Sequence, residues 1–199
     1  MRRLALSTLL ATLLGVAVAG CEKEAAETPA AQSSAAQQPT TPPSSGQSPA
    51  GDAYPNSEKG ANALLKALPE DPQLALRLKP TTEDYKALFV GDAAAKAEQF
   101  YATSLWNDPA NLKIDTGAAK TELLLFHATS EEIRSWSTTV QANFPGGYQQ
   151  VGPHLKPGLT WFRWRYVKPG ESSGVAYDGL VNVNGHWVWT PKLWKALEG

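Results

Sequence analysis

From Ser57 onward the chain alternates between two hydrophobic periods. Ala61, Leu64, Leu65 and Leu68 fall at i, i+3, i+4 and i+7, the single buried stripe of an amphipathic helix. Ser57 is placed to cap that helix, and Pro69 and Pro72 end it. Thr81, three residues before Asp84, makes a capping-box pattern. It opens a short helix with Tyr85, Leu88 and Phe89 on one side, closed at Gly91. Asp92 is placed to cap a longer helix running to about Asn107. Its stripe is Ala93, Ala97, Phe100 and Ser104, with Tyr101 and Leu105 beside it. The Leu/Phe run Glu122–Ala128 is too short for a helix and reads as a buried strand. Thr129-x-x-Glu132 caps a fourth helix with Ile133, Trp136, Val140 and Phe144 inward, and Gly146-Gly147 follows it. The period then drops to two: Thr160–Val167 and Gly174–Val183 alternate, and Trp187-Val188-Trp189 returns from Asn184-Gly185. That dipeptide is the strongest short hairpin signal. The stretch Gln149–Gly158 has neither period and leaves room for one more strand.

Three helices, a strand, a helix and a meander predict an α+β fold, with helices on one side of a curved antiparallel sheet. If Asn184-Gly185 is the whole turn, Val183 faces His186, Asn182 faces Trp187, Val181 faces Val188 and Leu180 faces Trp189. Strict alternation then gives an apolar face of Phe162, Trp164, Tyr166, Val175, Tyr177, Val181, Val183 and Val188. The opposite face carries Trp161, Arg163, Arg165, Asp178, Trp187 and Trp189, with Arg163 opposite Asp178. Trp and Arg are enriched at binding hot spots, so this face is the candidate interaction surface. The competing expectation is that the Pro191–Leu197 segment covers the Trp rings and that Arg163–Asp178 is an ordinary cross-strand pair.

Upstream of the domain the pattern is different. Met1-Arg2-Arg3 precedes an apolar run from Leu4 to Ala19, shorter than the roughly 20 residues a membrane span needs and suited to an export signal. The run ends in Val18-Ala19-Gly20-Cys21, which resembles the bacterial lipobox. The resemblance implies cleavage before Cys21, a diacylglycerol on its sulfur and a third acyl chain on the new amino group, more than stable anchoring requires. It also implies export to the cell envelope. Glu22, where Asp would favour retention at the inner membrane, points to the outer membrane.

Composition and charge sharpen this division. Residues 22–57 contain no Trp, Phe, Leu, Ile or Val, but are rich in Ala, Pro, Ser, Thr and Gln. They lack the apolar surface that offsets ordering entropy, and so read as a disordered linker. It spans about 35 Å as a flexible coil and up to about 110 Å as polyproline II. All seven Trp fall in residues 58–199, the expected globular domain. Cys21 is the only cysteine; once acylated it leaves no thiol for a disulfide, a thiolate metal site or a Cys nucleophile. From residue 56 onward there are 15 basic and 15 acidic residues. A neutral domain has no general attraction to nucleic acid.

The order of elements, the size and the closing Asn184-Gly185-His186-Trp187 turn resemble the NTF2-like (cystatin-like) superfamily, a cone of helices over a curved sheet. That resemblance implies a cavity in the cone, with Tyr85, Tyr101 and His127 as candidate lining residues; with Asp178 they are the candidates for acid–base work. His127, His154 and His186 lie on separate elements and form no recognised metal-site spacing, and phosphate-loop and dinucleotide glycine patterns are missing from the sequence. The expectation is therefore an accessory envelope lipoprotein that uses no cofactor or metal. It would act by protein contact or homodimerisation across the Trp/Arg face. The alternatives are a module holding a small apolar ligand in the cone and an enzyme using that cavity.

Overall fold

The structure is a computed structural model and describes residues 53–117 and 119–198. The leader, Cys21 and almost all of the linker lie outside the described residues. Packing begins before residue 58. The Tyr54 carbonyl accepts a 2.7 Å hydrogen bond from Trp187 Nε1, and Ser57 Oγ caps the first helix through Gly60 N.

Helix α1 (Glu58–Ala67) buries Ala61, Leu64 and Leu65 as its spacing predicts. Helix α2 (Pro72–Arg77) is an addition. Pro72 does not merely end α1; it occupies the first turn of a new helix, and Asp71 Oδ1 accepts from Gln73 N and Leu74 N. Proline is at home there because the N–H it lacks would have no helical partner. Helix α3 (Thr82–Leu88) starts at the Thr81–Asp84 capping box. Helix α4 (Ala93–Ser104) ends three residues earlier than the sequence suggests, and it buries Tyr101 while exposing Ser104. A 3-10 turn, Pro109–Leu112, leads towards β1 (Glu122–Thr129).

The Thr129–Glu132 capping box forms as read. Its helix, however, is broken into α5 (Ser130–Arg134) and α6 (Thr138–Asn143), because Trp136 adopts a left-handed conformation (φ 50°) and Ser137 caps anew. The unpatterned stretch holds no strand. It forms α7 (Tyr148–Val151) and a 3-10 turn, Gly152–His154, and a single bridge joins Leu155 to Phe89. Strands β2 (Thr160–Val167), β3 (Gly174–Val183) and β4 (His186–Trp189) follow, then α8 (Leu193–Leu197).

Among the described residues the strands form one open antiparallel sheet in the order β1-β2-β3-β4. The β3–β4 register matches the expectation pair for pair, and Arg163 lies opposite Asp178. Two expectations fail. β1 is an edge strand with Leu123–Phe126 only half-buried; a run of Leu and Phe does not distinguish a central strand from an edge whose two faces are partly covered. The helices also do not keep to one side. Tyr166 OH donates to Leu65 O of α1. From the opposite face of β2, Trp161 Nε1 donates to Ser130 Oγ of α5, and its ring packs on Phe89 at the end of α3. The sheet thus forms the middle layer of the core.

Candidate functional site

The predicted Trp/Arg face is divided by one glycine. Phe162 pairs with Leu180 and Arg163 with Asp178, so Gly179 has no partner on β2. The extra residue makes a β-bulge and reverses which β3 side chains share a face with β2. Gly179 sits at φ +84°, and a Cβ there would lie 2.0 Å from the Thr190 carbonyl oxygen. Trp161, Arg163 and Arg165 therefore share a face with Asp178 but not with Trp187 or Trp189. The ring contacts agree: Trp187 packs on Phe162 at 5.5 Å and Trp189 neighbours Trp164 at 6.4 Å. Trp187 and Trp189 are buried, and their Nε1 groups donate to Tyr54 O and Asp178 O. They form core, not surface. Val181, Val183 and Val188 change sides with the bulge and join the Trp161 face.

Asp178 is buried beside that bulge. Its Oδ1 accepts from Tyr148 OH at 3.0 Å and from the Lys192 N–H at 2.8 Å. Burial pushes its carboxyl above the ordinary range, against the Lys192 N–H, the Tyr148 hydroxyl and the Arg163 charge. Arg163 donates to Asn143 O at the end of α6; burial and neighbouring Arg165 lower its guanidinium pKa. Tyr148 is held well above the usual phenol range by burial and by Asp178. Lys192 lies in the left-handed region (φ 54°, ψ 49°) at the start of α8, and Asp178 holds that turn. The carboxylate ties β3 to α7 and α8.

The open part of this face lies towards the far end of β2. Arg165 places its guanidinium 5.4 Å from the Phe126 ring centroid, and its Nη1 donates to Ser172 O. Leu124 and Phe126 are half-buried, and Ala176, opposite Arg165 in register, is exposed. Of the six predicted interface residues, Arg165 alone lies in this open corner and Arg163 at its margin.

Of the three predicted cavity residues two meet and His127 stands apart. Tyr85 and Tyr101 stack at 6.2 Å in the core and are almost fully buried, and Tyr101 OH donates to Pro191 O. His127 is exposed on β1. Tyr101 also borders a groove beside α4.

Sequence reasoning missed a buried cluster. Asp84 accepts from Thr81 N, Thr81 Oγ1 and Asn184 Nδ2, each at 2.8 Å, and its Oδ2 lies 3.1 Å from His186 Nε2. The capping box and the Asn-Gly hairpin were both legible, but nothing local signals that residues 100 apart share one carboxylate. Through Asn184 and His186 the Asp84 carboxylate staples the hairpin to α3. Burial opposes ionisation of Asp84, but the Thr81 and Asn184 donors and His186 outweigh it and hold its carboxyl below the usual range.

A group whose pKa falls on folding adds stability above its unfolded value, near 3.9, and loses it as pH drops through the folded value. Asp84→Asn removes one charged acceptor and is expected to cost about 1–3 kcal/mol at pH 7. In thermal melts from pH 7 to pH 3, the gap between wild type and variant should narrow below about pH 4; a constant gap would show that Asp84 carries no charge-linked stability.

Among the described residues no three of His, Cys, Asp and Glu gather as a metal site, and no helix is long and apolar enough to cross a membrane. No family model matches the chain, and comparison with curated proteins and with solved structures finds no match either.

Proposed function

We propose that this chain is an acylated lipoprotein of the bacterial cell envelope, anchored through Cys21 to the outer membrane, whose domain is an accessory protein-binding module rather than an enzyme. The lipobox-like Val18-Ala19-Gly20-Cys21 and the polar stretch behind it support the anchor. The observation that carries the binding reading is the open sheet corner, where Arg165 lies over Phe126 beside Leu124 and Ala176 on an edge-strand face. Arg and aromatic side chains on a rigid, partly desolvated surface are the combination that anchors protein interfaces. The contact surface is therefore moved from the Trp pair to this corner, and the partner is an envelope protein or a second copy of the chain. An NTF2-like relationship is supported by the order of elements, while helices on both sheet faces depart from a one-sided cone.

Two variants test the parts separately. Cys21→Ser should move most of the chain from the membrane to the soluble fraction; continued retention would remove the anchor reading. Arg165→Glu combined with Ala176→Glu changes only the corner, because Ala176 is exposed and Arg165 half-exposed. Site-specific photocrosslinking in whole envelopes should lose its defined adduct, or its dimer band, in that variant. Identical crosslinks from a normally folded variant would sink the proposed contact surface.

A further inference from the structure

Away from the sheet corner, a groove of about 280 Å³ opens between α4, the segment after the Pro109–Leu112 turn, and the chain entering α8. Its walls include Phe100, Tyr177 and Trp189, and its rim carries Lys113, Lys192 and Lys195. The polar atoms of the aromatic walls are already used. Tyr177 OH donates to Asp115 O and accepts from Asp115 N, both at 2.9 Å, and Trp189 Nε1 donates to Asp178 O. The rings therefore offer apolar surface.

The residues lining the groove carry charge of one sign only, with Glu198 paired to Lys195 at the rim and Asp115 behind Tyr177. No Asp or Glu lines it, although the domain as a whole is balanced. Lys195 is engaged by Glu198 at 2.9 Å, whereas Lys113 and Lys192 make no ion pair with any described residue. Lys192 is held in its left-handed turn by the buried Asp178 carboxylate, which fixes where its side chain leaves the backbone. Small-molecule sites commonly combine apolar and aromatic walls with a few placed polar groups, and 280 Å³ is near the small end of their range.

We infer that this groove binds a short anionic amphiphile, with its apolar body against Phe100, Tyr177 and Trp189 and its anionic head between Lys113 and Lys192. Ammonium groups are point charges without the forked geometry of Arg, so the rim selects negative charge rather than one head-group shape. The site is independent of the sheet corner and of the anchor.

Calorimetric titration of the full chain carrying Cys21→Ser, so that no acyl chain competes for the groove, with decanoate, decyl phosphate and decanol below their micelle concentrations tests this, its cooperative melt confirming that the chain is folded. At least one anion should bind saturably, and the one that binds more tightly identifies the head group. Lys113→Gln with Lys192→Gln should weaken that binding about tenfold or more and leave decanol unchanged. Ser104→Phe, at an exposed position lining the groove, should abolish binding without lowering the melting temperature. Absence of anion binding, or anion binding unaffected by either variant, would overturn the assignment.

Discussion

Gly179→Ala is expected to destabilise the domain by more than about 4 kcal/mol, a large part of the roughly 5–15 kcal/mol that holds a typical domain folded. Two effects add. A non-glycine residue at φ +84° bears steric strain of about 1–2 kcal/mol. The new Cβ would also lie 2.0 Å from Thr190 O and 2.6 Å from its carbonyl carbon, an overlap that only backbone movement relieves. That backbone is itself held, because Thr190 N and Oγ1 both donate to Gly179 O. Movement there would loosen the Asp178 contacts with Tyr148 and Lys192. Gly185→Ala separates the two effects: it shares a positive φ of +83° but has no atom within 4 Å of the added carbon, so strain alone applies. Thermal melts should show a fall of more than about 10 °C for Gly179→Ala and a much smaller fall for Gly185→Ala. Equal falls would show that the close approach to Thr190 contributes nothing.

Trp161→Ala should cost about 3–5 kcal/mol in denaturant unfolding. Trp161 is fully buried at the level where β1, β2 and β3 meet, with Ala128 and Val181 as its cross-strand neighbours. The small side chain of Ala128 leaves no bulk on β1 to occupy the vacated volume. Phe89 lies 6.3 Å away, centroid to centroid, on a short bridge to Leu155 that restricts collapse into the space. The substitution also removes the donor to Ser130 Oγ, itself buried. Trp161→Phe retains most of the apolar volume but loses that bond, and should cost clearly less. If the two variants lose equal stability, the hydrogen bond rather than packing governs the site.

What could be read from the sequence was what is decided locally. The Thr81–Asp84 and Thr129–Glu132 capping boxes and the Asn184-Gly185 turn act within a few residues, and each formed with the expected partners. Pro72 was read as a stop when Asp71 before it supplied the cap of a new helix. A left-handed Trp136 has no local signature, so one helix was expected where there are two. The bulge had a weak signal, since an isolated glycine inside a strand often marks one. Passing over Gly179 reversed half of β3 and placed two core Trp residues on a surface. For the candidate site the register was right and the parity wrong, which kept Arg163 and Arg165 together but separated them from Trp187 and Trp189. The groove depends on Lys113, Tyr177 and Lys192 coming together from separate segments, which no local pattern encodes.

The two ends of the sheet differ in a way that limits how copies of this chain can add to one another. β4 is short, and its outer side is engaged by the Trp189 N–H to Leu78 carbonyl bond. Among the described residues β1 receives no backbone hydrogen bond from outside the sheet. Open-ended fibre growth by strand addition needs two receptive edges on every subunit. With the β4 edge partly engaged, strand addition is favoured at β1, and β1 against β1 would give a two-fold arrangement that ends at two copies.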